Sequence, residues 1–323
     1  MKLHQLRDMI AVADLGSIRA GARHLNISQS AITKSIQLLE RELDVPLFER
    51  HKRGVVLTPM GALFVQRARA ASAELLRAQE EINQHRGVET GRVTISLSTV
   101  PHMALLPSVI EPFIRRYPDV KLTIQEALGF SSVDAQLRSG AVDAYIGVAS
   151  STKVPSDYQV ETLFANQRIV VARAGHPLAQ ATSLKELVDA RWLVSNVAAA
   201  AGDFTTTFRK HRIKLPERIT YASTILSQLV MLLNSDMLLI APKQVIEFPA
   251  YQGLLVPVPV REVIDAPSVD MIRRASSPLT PAAEHFCDLL RRAAVALQHT
   301  ATQARAKPAL KRANATSPAA PRP

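Results

Sequence analysis

Amide, hydroxyl and basic side chains recur at helical spacing near the start of the chain, at Gln29, Ser30, Thr33, Lys34, Gln37 and Arg41. An advance of about 100° per residue sets them on one arc and sets Ile32, Ile36, Leu39 and Leu43 on another. The first turns of the polar arc carry no acid, and such groups can bond base edges and phosphate oxygens in a DNA major groove. An ordinary solvated helix face carries the same residue types, so the helix alone leaves both readings open. The run Arg50-His51-Lys52-Arg53-Gly54 lies between Pro46-Leu47-Phe48 and Val55-Val56-Leu57-Thr58 and reads as a short hairpin with a basic tip. Beside such a helix it would be a wing, with Arg50, Lys52 and Arg53 near the phosphate backbone and Arg53 able to enter a minor groove.

A second cluster, Ser98-Thr99-Val100-Pro101-His102, joins the strand-like run Arg92–Leu97 to a helical stretch. Free N–H groups at a helix start, two hydroxyls and an imidazole would suit a small anion such as a carboxylate or sulfonate. Plain capping by Ser98 and Thr99 is the alternative. His102 reads equally as a pocket group that makes binding pH-dependent or as a cap histidine. Catalytic patterns are missing: there is no Gly-rich phosphate loop, no G-x-S-x-G and no His-Glu-x-x-His. His176, before Pro177, reads as a turn residue. Cys287 is the single cysteine, beside Phe286 and Leu290 in a helical stretch, and reads as a core thiol with no disulfide or zinc partner. No catalytic residue, metal or cofactor is therefore expected, and the chain does not read as an enzyme.

These residues need elements to position them. A helix over Leu3–Leu15 presents Leu6, Met9, Ile10 and Ala13 on one face, and Gly16 ends it. Ser17 caps a short helix with Ile18, Ala22 and Leu25 inward, and Ser28 caps the helix from Gln29 to about Leu43. Thr58 and Pro59 start a long helix that runs to about Gln84. Along it Phe64, Ala68, Ala71, Leu75, Ala78 and Ile82 alternate in steps of four and three, a heptad seam flanked by Arg67, Arg69, Glu74, Arg77, Glu80 and Glu81. The seam would pair two copies of the chain or pack on its own chain; pairing is favoured, because a long helix with polar sides does not stand alone. Residues 86–91 read as a hinge. Beyond them, strand-like runs (Arg92–Leu97, Val120–Gln125, Ala144–Val148, Arg168–Ala172, Trp192–Val194, Met237–Ile240, Val269–Arg273) alternate with helical ones. The latter are Met103–Arg116, Ser132–Ser139, Leu184–Asp189, Phe204–His211, Leu226–Asn234 and Ala282–Leu297, and the alternation argues for an α/β domain.

The 323 residues allow two or three domains, and the net charge of +11 suggests a polyanionic partner. Five of those charges sit in the Ala- and Pro-rich stretch 301–323, which has no acid and reads as a disordered basic tail, either solvated or touching DNA non-specifically. The N-terminal MKLHQLRDMI lacks the apolar core of a secretory signal, and no apolar run reaches about eighteen residues. A cytoplasmic, nucleoid-associated location is expected, with no membrane partner.

Residues 1–60 resemble the N-terminal domain of LysR-type transcriptional regulators. The matching elements are the Leu6 helix, Gly16-Ser17, Ala20 to Leu25, Ser28-Gln29-Ser30-Ala31-Ile32-Thr33-Lys34, Leu39-Glu40, Leu47-Phe48-Glu49-Arg50 and Leu57-Thr58-Pro59-Met60-Gly61. Thr33 and Lys34 stand where Ser and Arg are more usual, and Asp44 where Gly is common. The later chain resembles the effector-binding domain of the same family, a two-lobed fold like periplasmic binding proteins. Pro107, Phe113, Tyr117-Pro118, Gly140, Asp143, Ile146-Gly147, Gly175-His176-Pro177-Leu178 and Ala241-Pro242 carry that likeness.

The resemblance implies an α/β chain with a winged helix-turn-helix (1–58), a linker and dimerisation helix (59–87) and an effector-binding domain (91–300). Lobe I would hold 91–163 and 268–300, and lobe II 164–267. Groove-reading positions would be Gln29, Ser30, Thr33 and Lys34. The turn at Ser98, Thr99, Val100, Pro101 and His102 would lie in the cleft between the lobes. It would face Phe130, Ile146, Gly147, the loop from Asn196 to Asp203 with Asn196, Val197, Ala199 and Gly202, and Ser223 with Thr224. The small Ala198–Ala201 run would leave room for an aromatic or aliphatic ligand. The implied function is a sequence-specific DNA-binding regulator controlled by a small anionic organic effector. Its partners would be double-stranded promoter DNA, a second copy in a dimer or tetramer, and RNA polymerase as a further candidate. The alternatives are a small-molecule binding protein with a vestigial DNA-binding half and, behind it, an enzyme fused to a DNA anchor.

Overall fold

Gly16 sits in the left-handed region at φ 61° and turns the chain sharply out of α1 (Leu3–Leu15), a conformation a side chain would strain. The computed structural model that shows this describes residues 1–52, 54–88, 90–149, 154–195 and 198–314, with backbone alone for 198–202 and 300–314. Ser17 Oγ accepts the Ala20 N–H and caps α2 (Ile18–His24). Ser28 Oγ accepts the Ala31 N–H at 3.1 Å and caps α3 (Gln29–Leu43). Asp44 ends α3 at φ 53°, the left-handed geometry that Asp tolerates better than most side chains. Val12, Ala22, Ile32 and Ile36 form one buried cluster and Met9, Leu39, Leu47 and Val65 another. Burying each of the larger side chains contributes roughly 1.5–3 kcal/mol. The hairpin of β1 (Phe48–His51) and β2 (Gly54–Leu57) is tied to the end of α1, because the Val55 N–H donates to Gly16 O at 2.9 Å.

The long helix α4 (Pro59–His85) starts where Thr58 Oγ1 accepts the Gly61 N–H and Pro59 takes the first turn. Its heptad seam does not act as one stripe. Ala68 is buried and Phe64 half-buried within the N-terminal unit, where α4 packs on α1. Ala71, Leu75, Ala78 and Ile82 stay exposed, Leu75 at 47% and Ile82 at 59%. A third face carries the buried Arg77.

Two five-stranded sheets follow. The first has the order β4-β3-β5-β12-β6 and holds β3 (Gly91–Leu97), β4 (Val120–Glu126), β5 (Ala144–Gly147) and β6 (Tyr158–Phe164), with β12 (Val269–Arg274) returning from the end of the chain. The β3–β4 and β3–β5 ladders are parallel, while β12 runs antiparallel to both β5 and β6. Helices α5 (Thr99–Ala104), α6 (Leu106–Arg116) and α7 (Phe130–Ser139) complete lobe I, and α11 (Pro281–Asn314) packs on α6. The second sheet has the order β11-β7-β10-β8-β9 and forms lobe II. Its elements in chain order are β7 (Arg168–Arg173), β8 (Arg191–Val194), α8 (Ala198–Lys210), β9 (Ile219–Tyr221), α9 (Ile225–Leu233), β10 (Met237–Pro242), α10 (Gln244–Glu247) and β11 (Leu255–Val258). Cys287 is fully buried in the lobe I core, where burial pushes its thiol up to about 12 and leaves it a packing group.

Several elements differ from the sequence reading. The expected Met103–Arg116 helix starts at Thr99 and breaks at Leu105, since Pro107 lacks the N–H that would continue the ladder. Three strands, β6, β9 and β11, give no clear period: β6 is buried only at its ends, β9 has three residues, and Pro257 interrupts β11 at the sheet edge. Leu184–Leu187 forms a 3-10 turn rather than an α-helix. The loop expected from Asn196 to Asp203 is already helical from Ala198, in keeping with the high helix propensity of four successive alanines. Residues 301–314, expected to be disordered, continue α11; Ala301, Ala304, Ala306, Ala309 and Ala313 favour that state despite Pro308.

Candidate functional site

The outward arc of α3 forms a shallow groove of about 620 Å³ lined by Gln29, Ser30, Thr33, Lys34, Gln37 and Arg41, with the exposed Leu38 beside them. All but the half-buried Thr33 are exposed. Thr33 Oγ1 donates to Gln29 O at 2.7 Å, so the side chain offers its methyl group and a lone pair rather than a free donor. Ser30 Oγ lies 3.0 Å from Ser28 Oγ, inside the cap of the helix. Lys34 and Arg41 on the helix, and Arg50 and Lys52 on the exposed hairpin, form no ion pair among the described residues. Arg53, at the hairpin tip, lies outside the described residues. Gln37 and Arg41 fall on the polar arc by period alone. Leu38 gives no such signal.

The second site is a cleft of about 580 Å³ between the lobes. Ser98, Thr99, Val100 and Ser223 line it together. Ser98 precedes α5, but its side chain makes no capping bond, and Ser98 Oγ is buried without a hydrogen-bond partner of good geometry. The nearby Tyr145 hydroxyl donates instead to Val148 O at 3.2 Å, and burial raises its phenol above the ordinary range. Gly147 is needed here because a Cβ would stand 2.3 Å from the Tyr145 hydroxyl and 2.7 Å from Ser98 Cβ.

Other expected cleft residues go elsewhere. Phe130 is buried in the lobe I core, edge-on to Tyr158, and Ile146 is fully buried behind the sheet. Alternation along β5 sends Tyr145 to the cleft, which turns Ile146 away. Pro101 is buried, and His102 folds back as a helix histidine with Nδ1 3.0 Å from Ser98 O. Thr224 caps α9 through the Ser227 N–H. Asn196 and Val197 lie outside the described residues; Ala199 and Gly202 lie on α8, with only their backbone described.

Asp203, at the end of the loop expected to face the turn, does line the cleft, but sequence reasoning missed the rest of its charged lining: Glu126 from lobe I, with Arg168, Lys210 and Asp265 from the opposite side. Arg168 meets Asp203 at 2.7 Å and Lys210 meets Asp265 at 2.5 Å. These pairs join residues tens of positions apart, which no local period reveals.

A third cluster was also missed. Arg77 of α4 reaches lobe I, where Nη2 donates to Gly140 O at 2.8 Å and to Asp143 Oδ1 at 3.1 Å. Asp143 Oδ2 accepts the Thr94 N–H at 2.8 Å. Burial raises the Asp143 carboxyl above its ordinary value, against the opposing pull of Arg77 and the Thr94 N–H. Ser277 and Glu74 extend the cluster, with Ser277 Oγ donating to Glu74 at 2.7 Å. The long helix is thereby docked on the end of α7 and the turn that leads into β5, the strand that carries Tyr145 and Gly147 to the cleft.

Among the described residues no histidine, cysteine and carboxylate cluster suits a metal ion, and no helix is long and apolar enough to cross a membrane. Residues 3–62 match the family described as bacterial regulatory helix-turn-helix protein, lysR family, and residues 86–295 match the LysR substrate binding domain. The chain is 26% identical over 298 residues to the HTH-type transcriptional regulator GbpR of Azospirillum brasilense, covering 91% of this chain and 86% of that protein. It is 34% identical over 182 residues to CbbR of Sinorhizobium medicae, covering 55% of this chain and 56% of that one. Among solved structures, a full-length OxyR variant from Pseudomonas aeruginosa superposes with a TM-score of 0.68 at 23% identity, covering 90% of this chain and 95% of that one. CbnR complexed with its target DNA gives 0.65 at 19% identity, covering 91% and 100%. Both share the fold.

Proposed function

The chain belongs to the LysR family of bacterial transcription regulators, with a helix-turn-helix for DNA and an effector-binding domain, and on that premise we propose how its parts divide the work. The outward face of α3 reads promoter DNA in the major groove. The observation that carries this is the exposed arc from Gln29 to Arg41, whose cations have no acidic partner among the described residues. Gln29 and Lys34 present donors to base edges, and Thr33 presents its methyl to a thymine. Arg50 and Lys52, with Arg53 at the tip, hold phosphates and set affinity rather than sequence choice.

The working unit is a dimer or tetramer. Ala71, Leu75, Ala78 and Ile82 form the face that pairs α4 with a second copy, which brings two recognition helices to half-sites about 34 Å apart. A small organic effector bearing a carboxylate or sulfonate enters the cleft beside Ser98 and Thr99. It acts only through a difference in affinity between two lobe arrangements. Residues 1–58, 59–87 and 91–300 serve as the reading, pairing and sensing units, RNA polymerase is a further candidate partner, and the protein works at the nucleoid.

Footprinting on the DNA flanking the protein's own coding sequence, at low and moderate salt, tests this reading. A protected, partly palindromic site that survives moderate salt is the expected result. Protection that vanishes there and is equal on unrelated DNA would reduce the binding to non-specific charge.

A further inference from the structure

Charge is distributed unevenly around the cleft. On the lobe II side Arg168 and Lys210 are each held by a carboxylate, Asp203 and Asp265 respectively. Lobe I contributes Glu126, which is exposed and forms no ion pair among the described residues. Among the described residues the lining thus carries one acid more than it has cations, and the acid without an ion-pair partner is Glu126. A dianion entering the cleft would have to separate an existing pair and would meet Glu126 as a like charge.

The backbone of Glu126 is also held near the Ser98 turn. In the parallel β3–β4 ladder it stands opposite Leu97, and the Ala127 N–H donates to Leu97 O at 2.9 Å. Adjacent strands lie about 4.8 Å apart, so the end of β4 sits next to the Ser98 turn at the end of β3. Ser98 Oγ is buried beside the Tyr145 hydroxyl without a hydrogen bond of good geometry, and that hydroxyl is directed to Val148 O. A poorly satisfied hydroxyl and an unpaired carboxylate therefore border the same end of the cleft.

We infer that the effector is a small zwitterion, with its carboxylate received at Ser98 and Thr99 and a protonated amine held by Glu126. This rests on the cleft being the effector site. Glu126 is then the residue that sets specificity: a hydroxy acid of the same shape leaves its carboxylate unpaired, and a dicarboxylate is repelled by it.

Calorimetry on the full-length protein tests the inference with three probe sets. These are the common α-amino acids with β-alanine and γ-aminobutyrate, the matching hydroxy acids, and the dicarboxylates succinate and glutarate. At least one amino acid should bind, with its hydroxy-acid counterpart weaker by roughly tenfold to a hundredfold. Glu126→Gln should lower amino-acid affinity by a similar factor and close most of the gap to the hydroxy acid, with an unaltered melting temperature showing that the variant is folded. Hydroxy acids or dicarboxylates binding as tightly as amino acids, full affinity in Glu126→Gln, or no binding by any amino acid would each overturn the inference. Ser223→Trp, which fills the cleft, separates the two levels. Lost binding in that variant keeps the cleft as the site whichever probe wins, and binding that survives it removes the cleft reading itself.

Discussion

The α3 face and the interlobe cleft both carry charge, but they hold it differently. On α3 and the hairpin, Lys34, Arg41, Arg50 and Lys52 have no acidic partner among the described residues. In the cleft, Arg168 and Lys210 are each neutralised by a carboxylate. The first arrangement suits a polyanion, because free cations can release its counterions on contact. The second suits discrimination among small molecules, because a ligand must match or displace a set pattern of pairs. A basic net charge alone would not separate these roles.

The contrast is broken most forcefully at Arg77, where a cation is both paired and buried. Arg77→Met would leave Asp143 buried without its partner and should cost about 3–5 kcal/mol in urea unfolding. By the same logic, unpaired surface cations should matter for binding and hardly for folding. Gln29→Ala or Lys34→Ala should lose about 1–3 kcal/mol of specific DNA binding in titrations and relax base preference at one position. Their unfolding midpoints should stay near wild type. Lys52→Ala should weaken binding to every duplex alike and reduce the slope of log affinity against log salt by about one; a change at a single base position would make Lys52 a reader instead.

The smallest effect concerns pH. His285 packs at a tilt against Tyr117, and burial together with Arg116 and Arg292 holds its imidazole below the ordinary value, with Asp288 pulling the other way. The unfolded chain therefore binds the proton first as pH falls through about 6.5, so stability should decline below that pH. His285→Gln should flatten that part of the stability profile measured by thermal melts.

How much of this was legible in the sequence follows from how local each signal is. Ser17, Ser28 and Thr58 each cap the helix that follows, and Gly16 ends α1, because caps and turns act within a few residues. The α3 face lies on one helix, so period alone assembles it. The cleft draws on β3, β4, β7, α8 and the chain near Asp265, and only topology brings Glu126 beside Ser98. Phe130 and Ile146 misled because an apolar residue beside a cleft strand reads the same whether it faces the ligand or the core. The α4 seam misled in a similar way: heptad spacing marks an apolar stripe but does not say which half packs on α1.

Selection from a random duplex library at moderate salt, with wild type and Gln29→Ala compared, tests the central claim most directly. The account predicts an enriched pair of related half-sites for wild type and relaxed choice at one base in each half for Gln29→Ala. Identical enrichment by both proteins would remove α3 as the reader, and no enrichment by either would contradict sequence-specific regulation.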